Sequence, residues 1–253
     1  MPRKITDHLA RVLESASIEE IWALHCEKMA DYGFDRLLYG FTRFRTHNSF
    51  GHTDDILVLS SHEQGYFDAF IKSGLFNNAP MVRWAAANVG ACSWRRLEKM
   101  LASGDLTASD RKIIEINHAH NVRAGYSISF PDTSVRAKGA IGLCAPKGVH
   151  QYQVEEIWAE HGHDILLINN VTHLKITALP FSLTHRNLTP RQREALEWVG
   201  DGKTMQDIAT IMGLRPATVE KHLRLARAAL DVETTTQAVL KASFQNQIFV
   251  VST

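Results

Sequence analysis

The stretch from Gly213 to Leu230, GLRPATVEKHLRLARAAL, constrains the fold more than any other part of the 253-residue sequence. A glycine turn leads into a helix that has Pro216 in its first turn, where proline favours helix initiation. Two shorter helices precede it, and each begins at a capping threonine, Thr189 or Thr204. A short helix, a tight turn and a longer helix are the parts of a helix-turn-helix. With a fourth helix, TTQAVLKASFQ, they predict an all-α domain over residues 188–253.

The third of these helices concentrates positive charge in a chain that is nearly neutral. The whole chain has a formal net charge of +1, whereas residues 215–230 carry four Arg or Lys and one Glu, a net charge of +3. Val219, Leu223 and Ala226 form one apolar stripe, which leaves the charged residues on the other faces. Such a helix can bind DNA phosphates and base edges. A solvated basic face is the alternative, but the tight turn and the accompanying short helices favour DNA binding.

The first 180 residues have a different order of elements. Helical patterns alternate with pairs of strands, and a long helix ends the region. The predicted strands are Arg36–Arg45, Asp55–Ser61, Gly90–Trp94, Tyr126–Phe130 and Gly139–Ala145, and the long helix is Val154–Leu179. This order predicts an α/β/α sandwich with a mostly antiparallel sheet. We therefore expect a sensor domain over residues 1–179, a linker over 180–187 and the helix-turn-helix domain over 188–253.

Composition and motifs argue against several classes of function. Apolar residues make up 45% of the chain and charged residues 22%, which is typical of a soluble globular protein. Because no run of 18 apolar residues occurs, we expect a cytoplasmic protein without membrane contact. The candidate metal ligands are Cys26, Cys92, Cys144, His118, His120, His161 and His163. They form no CxxC pair, and the histidine pairs fall on predicted helices where residues two apart point away from each other. No metal or other cofactor is expected.

Catalysis is not predicted either. The sequence has no GxSxG, P-loop or GxGxxG motif, so we do not expect an enzyme. A deep pocket holding a strongly perturbed acid–base pair would favour an enzyme after all. The lack of a closed cavity would instead favour a protein-interaction module.

The C-terminal region resembles a known family of DNA-binding proteins. The segment LTPRQREALEWVGDGKTMQDIATIMGLRPATVEKHLRLARAALDV is similar to the helix-turn-helix of LuxR-type quorum-sensing transcription factors through LTPR, GKT, DIA and TVEKHL. With the basic helix, the resemblance implies these DNA-binding residues: Lys203, Thr204, Arg215, Thr218, Glu220, Lys221, Arg224 and Arg227. Glu220 and Arg224 would face the groove. Glu220 could accept from a cytosine amine or pair with Arg224 at i+4.

The N-terminal region is similar to the autoinducer-binding domain of the same family, but its polar ligand residues differ. Members that sense acyl-homoserine lactones hold the head group with a Trp, a Tyr four residues later and an Asp-Pro nine residues beyond, followed by a second Trp. Here Pro80 and Trp94 keep their 14-residue spacing, whereas Tyr66, Phe70 and Ala79 stand at the Trp, Tyr and Asp positions.

The change to Ala79 predicts a different signal. The family's Asp accepts the lactone's amide N–H, which an alanine cannot do, and burying an unpaired amide costs about 1–3 kcal/mol. Asn78 could supply a carbonyl instead. We predict a ligand pocket lined by Tyr39, Phe41, Tyr66, Phe70, Asn78, Trp84, Trp94 and Tyr126. For each aromatic residue alone, ordinary core packing is the alternative. The expected signal is small, and flat or apolar.

Together these features predict an orphan or solo member of the family with an altered ligand site. We expect a homodimer, formed through the long helix, that binds a roughly palindromic operator in double-stranded DNA. RNA polymerase is a further candidate partner. The alternative is a regulator whose pocket is filled by its own side chains and which needs no ligand.

Overall fold

The computed structural model describes residues 2–45, 50–51, 53–131, 134–181 and 187–249. The chain divides into two compact units, Met1–Thr177 and Ala178–Thr253. Most of the predicted linker, residues 182–186, lies outside the described residues. Each unit is described by itself below.

A five-stranded sheet organises the first unit. Its strands are β1 (Arg36–Thr42), β2 (Ile56–Ser60), β3 (Gly90–Ser93), β4 (Gly125–Ser129) and β5 (Lys138–Cys144). They lie in the order β2-β1-β5-β4-β3, and every neighbouring pair is antiparallel. The predicted antiparallel sheet is therefore confirmed.

Helices cover both faces of this sheet. They are α1 (Pro2–Glu14), α2 (Ile18–Asp31), α3 (Gln64–Phe67), α4 (Pro80–Ala87), α5 (Arg95–Ser103), α6 (Ala108–Ala119) and α7 (Gln151–Ala178). A π-helix, Asp68–Lys72, continues α3, and 3-10 turns span Thr53–Asp55 and Leu75–Asn78. Local signals set several ends: the Ser17 side chain accepts from the Glu20 amide and begins α2, and Thr107 and Asp110 form a capping box that begins α6.

The sheet face that packs against α2 and α7 is a closed core. The Tyr39 hydroxyl, on β1, lies 2.9 Å from His173 Nδ1 on α7, and the His173 ring stacks on Phe130 with centroids 4.1 Å apart. His25 of α2 lies 3.0 Å from Asn169 Oδ1 of α7. Burial lowers the pKa of both His25 and His173 to about 4, so both rings are neutral at pH 7 and fit this largely apolar layer.

The second unit is a bundle of four helices: α8 (Pro190–Gly200), α9 (Met205–Met212), α10 (Pro216–Leu230) and α11 (Thr235–Phe244). Thr189 and Thr204 cap α8 and α9 through their side chains, and Gly213 makes the turn into α10 at φ 66°. Leu196, Leu223 and Ala226 are almost inaccessible in its core. In neither unit does a described helix combine the length and apolarity needed to cross a membrane.

Candidate functional site

A cavity of ≈ 690 Å³ lies on the sheet face opposite α7 in the first unit. The sheet supplies one wall through small and branched residues such as Val58, Ala140 and Gly142. Elements between β2 and β4 supply the others, and the loop before α7 closes one side. Apolar side chains dominate this lining, as in sites for small organic ligands.

Three rings spaced four residues apart form one wall. His62, Tyr66 and Phe70 all line the cavity. The His62 and Tyr66 centroids are 4.5 Å apart, and Tyr66 stacks on Phe70 with centroids 5.3 Å apart. Burial lowers the pKa of His62 to about 4 and raises that of Tyr66, so both rings are uncharged at pH 7. The Tyr66 hydroxyl donates to Asn117 Oδ1 of α6 at 3.0 Å.

Trp94, the residue that follows β3, lines the cavity. Its indole Nε1 donates to Ser127 Oγ of β4 at 2.9 Å. The tight packing here requires a glycine at position 125, because a Cβ would collide with the Leu143 carbonyl oxygen and the Trp94 ring. The indole N–H therefore already has a partner within the protein.

Ala79 lines the cavity at the start of α4 and is 4% exposed. Asn78 is exposed and lies outside the described lining, so its side chain does not take the place of an acid at position 79. Its carbonyl accepts from Arg83, which also forms an ion pair with Asp110 at 2.9 Å. Burial would raise the pKa of Asp110, but hydrogen bonds from Arg83 and Thr107 hold it below its ordinary value. This carboxylate is paired, and it is not part of the lining.

Four of the eight predicted pocket residues lie in the lining: Tyr39, Tyr66, Phe70 and Trp94. The Tyr39 side chain nevertheless points to α7, as its bond to His173 shows. The placement of Phe41 and Tyr126 in the pocket was wrong. Phe41 packs edge-on against His173, and Tyr126 stacks on Trp158 of α7 with centroids 3.9 Å apart.

Trp84 is the last of the aromatic residues predicted for the pocket. It packs against the buried apolar cluster that contains Tyr66 and Phe70, but it is not among the described lining residues. Sequence reasoning also missed His62, Asn117 and Ser127. The spacing of His62 four residues before Tyr66 was a usable signal for the first of them. No described group of three or more His, Cys, Asp or Glu residues could hold a metal ion.

The second unit presents its basic residues on the surface of α10. Lys221 and Arg224 are exposed and make no ion pair with any described residue. Glu220 pairs with Arg227 at 3.0 Å rather than with Arg224, so the i+4 pair, one of the two alternatives for Glu220, was wrong. Arg227 also donates to Thr235 Oγ1 at 2.7 Å. The cations left free to meet phosphates or bases on this helix are therefore Lys221 and Arg224.

The other predicted DNA-binding residues flank this surface. Arg215 is exposed and precedes α10, where its side chain makes no capping bond. Lys203 is exposed just before α9, and the Thr204 hydroxyl donates to Asp207 at 2.6 Å. Thr218 is half-buried in the first turns of α10.

A chain that combines an apolar cavity in one unit with an exposed basic helix-turn-helix in the other has the architecture of a ligand-responsive DNA-binding regulator. A family model described as an autoinducer binding domain matches residues 17–176, and one described as sigma-70, region 4 matches residues 180–230. The first match alone covers more than half of the chain. The protein belongs to the LuxR-type quorum-sensing transcription regulators, a family of regulators rather than enzymes.

Relatives of similar length support this assignment. The transcriptional activator protein AnoR of Acinetobacter nosocomialis is 23% identical over 240 residues, which are 93% of this chain and 95% of AnoR. The transcriptional activator protein CarR of Pectobacterium carotovorum subsp. carotovorum is 20% identical over 200 residues, 75% of this chain and 79% of CarR.

Two solved structures share the fold. The N-acylhomoserine lactone dependent factor CepR2 from Burkholderia cenocepacia has a TM-score of 0.53 at 14% identity. The match covers 68% of this chain and 93% of the CepR2 chain. SdiA in complex with octanoyl-rac-glycerol has a TM-score of 0.50 at 15% identity. The match covers 96% of this chain and 94% of the SdiA chain.

Proposed function

We propose that this regulator acts as a homodimer and senses a small signal other than a standard acyl-homoserine lactone. The observation that carries the proposal is Ala79, an apolar residue in the cavity wall where lactone sensors have an acid. Glu98 is the one carboxylate among the described lining residues, and it lies exposed on α5. The volume of the cavity supports signal binding over a pocket filled by its own side chains.

The energetic argument concerns the amide N–H of the lactone. Without an acceptor, burying this group costs about 1–3 kcal/mol, which weakens binding roughly tenfold to a hundredfold. Two of the donors in the cavity wall are also engaged within the protein, since Trp94 donates to Ser127 and Tyr66 to Asn117. The related fold of SdiA holds octanoyl-rac-glycerol, an ester without an amide N–H.

The test is a thermal-shift titration with N-octanoyl-homoserine lactone on the wild-type chain and on Ala79→Asp. We expect little stabilisation of the wild type, and roughly tenfold or tighter binding by the variant because the acceptor is restored. Ala87→Asp, at an exposed position of α4 outside the lining, is the matched control and should behave as the wild type. A rise of several degrees in the wild-type Tm at micromolar lactone would contradict the proposal.

We assign the dimer contact to α7, the last helix of a sensor domain that we place at residues 1–179. A linker of residues 180–187 follows this domain in the proposal. Leu167 and Leu174 are 43% and 62% exposed and lie two turns apart on one face, and pairing with a second copy would bury them. Ile165 and Ile168, by contrast, are fully buried within the unit.

Leu174→Glu should shift the protein to monomer in analytical ultracentrifugation. Val135→Glu, at an 88% exposed position, should not, and an equal effect of both would refute the assignment.

In this proposal the dimer acts in the cytoplasm and places two α10 helices on a roughly palindromic operator. One helix reads a few base pairs, and two on a two-fold axis multiply affinity and set the spacing. Lys221 and Arg224 supply the free cations, flanked by Lys203 and Arg215. RNA polymerase is proposed as the partner of the bound dimer. Footprinting on DNA selected from random sequence checks the operator, and a site without two-fold symmetry would contradict it.

A further inference from the structure

One wall of the cavity is formed by three aromatic rings. His62, Tyr66 and Phe70 form a continuous column, in which the Tyr66 and Phe70 planes differ by 14°. His120 and Tyr66 meet edge to face, with centroids 5.6 Å apart. Aromatic rings prefer offset-stacked or edge-to-face partners, and such pairs stabilise beyond the area that they bury. The column therefore favours a planar aromatic ligand over an equally apolar flexible one.

The polar groups at the cavity have unused donors. Asn117 Oδ1 accepts from the Tyr66 hydroxyl at 3.0 Å, while its amide Nδ2 has no hydrogen-bond partner in the described part of the chain. Ser127 Oγ accepts from the Trp94 indole at 2.9 Å, and its own hydroxyl hydrogen has no acceptor among the described residues. Both side chains line the cavity. A ligand can thus satisfy these groups with an acceptor oxygen, whereas the described lining residues offer no enclosed carboxylate for an N–H.

We infer that the signal is a planar aromatic molecule that carries a carbonyl oxygen. Its ring lies against the column of His62, Tyr66 and Phe70, and its carbonyl accepts from Asn117 Nδ2, with the Ser127 hydroxyl as the second donor. Asn117 is then a specificity-determining residue. The inference rests on the proposed function, because it takes the cavity to be the signal site and names the chemical class that the site selects.

Three probes of similar size separate the two requirements. 2-Acetylnaphthalene has the aromatic ring and the carbonyl, 2-ethylnaphthalene has the ring alone, and 2-acetyldecalin has the carbonyl on a saturated frame. Calorimetric titration of the full-length protein should show 2-acetylnaphthalene binding about tenfold tighter than either of the others.

Asn117→Asp tests the donor without removing the partner of Tyr66. The substitution keeps an oxygen for the Tyr66 hydroxyl and replaces the amide donor by an acceptor that repels a carbonyl. We expect 2-acetylnaphthalene to bind about tenfold more weakly to the variant, with the affinity for 2-ethylnaphthalene nearly unchanged. Asn78→Asp makes the same chemical change at an exposed position outside the described lining, and should leave both affinities as in the wild type.

Each other outcome counts against the inference. Equal binding of 2-acetyldecalin and 2-acetylnaphthalene would remove the role of the ring, and equal weakening of both naphthalenes by Asn117→Asp would show a general structural effect. Failure of all three probes would overturn the assigned class.

A parallel titration with N-octanoyl-homoserine lactone distinguishes the two proposals. If this lactone binds at micromolar concentration and no naphthalene does, the proposed function fails as well. If nothing binds, the aromatic class alone is overturned.

Discussion

The two units of this regulator place their functional side chains in opposite ways. In the DNA-binding unit, Leu223 and Ala226 belong to a completed core, and Lys221 and Arg224 stand outside it in solvent. In the sensor unit the apolar side chains leave a cavity of ≈ 690 Å³ within the core itself. A surface substitution can therefore remove DNA binding without a cost in stability. A substitution at the cavity changes ligand affinity and the packing of the core together.

The largest expected difference between the units is their response to acid. His25 and His173 are buried and have pKa values of about 4, chiefly because of burial, against an ordinary value of 6.5. Unfolding lets both take up protons, so their contribution is fully present above pH 6.5 and is lost as the pH falls towards 4. Each histidine accounts for roughly 3 kcal/mol over this window.

No buried histidine occurs in the described part of the DNA-binding unit. Melting curves of the full chain between pH 7.5 and 4.5 should therefore separate into two transitions, with the sensor transition falling first. If the two units lost thermal stability equally as the pH falls, the expected difference between them would be refuted.

Arg224→Ala sharpens the comparison from the DNA side. Because Arg224 is exposed and has no ion-pair partner among the described residues, its loss should weaken operator binding by about 1–3 kcal/mol and leave the Tm unchanged. Fluorescence anisotropy with labelled DNA measures the affinity. Lys112→Ala removes a positive charge from an exposed position of the sensor helix α6 and is the control. If it weakens binding equally, the general charge of the chain, and not α10, carries the affinity.

The smallest expected effect comes from adding volume to each core. Ala226 is fully buried in the closed core, so Ala226→Leu should cost about 1–3 kcal/mol of unfolding free energy. Ala140 lines the cavity, so Ala140→Leu has space to fill and should cost less than about 1 kcal/mol while blocking the ligand. Chemical denaturation followed by circular dichroism measures both. Equal costs would mean that the sensor core is as closed as the other.

The DNA-binding unit was predictable because its signals are local. Thr189, Thr204, Gly213 and Pro216 each set a helix end through their own backbone or a neighbour three residues away. The pairing of Glu220 with Arg227 was not predictable in this way. An arginine side chain reaches two turns along a helix, so its partner depends on the rotamer.

The cavity was less predictable because both faces of its sheet are buried. Along β4 every residue from Gly125 to Ser129 is buried, so alternation does not show which side chains meet the cavity and which meet α7. Tyr126 was assigned to the wrong face for this reason. The hydrogen bonds Tyr66–Asn117 and Trp94–Ser127 join residues that are 51 and 33 positions apart in the sequence. A pattern of neighbouring residues cannot predict such pairs.

Helix α7 begins at the cavity and ends where the second unit starts in the sequence. Its first residue, Gln151, lines the cavity and holds the Gly125 amide and carbonyl at 2.9 and 3.2 Å. The helix has 28 residues, which at about 1.5 Å per residue make a rod about 42 Å long. A rotation of about 5° at Gln151 would displace the far end at Ala178 by about 4 Å through that length alone. The length of α7 would therefore turn a small rotation beside the cavity into a displacement of several ångströms at its last residue.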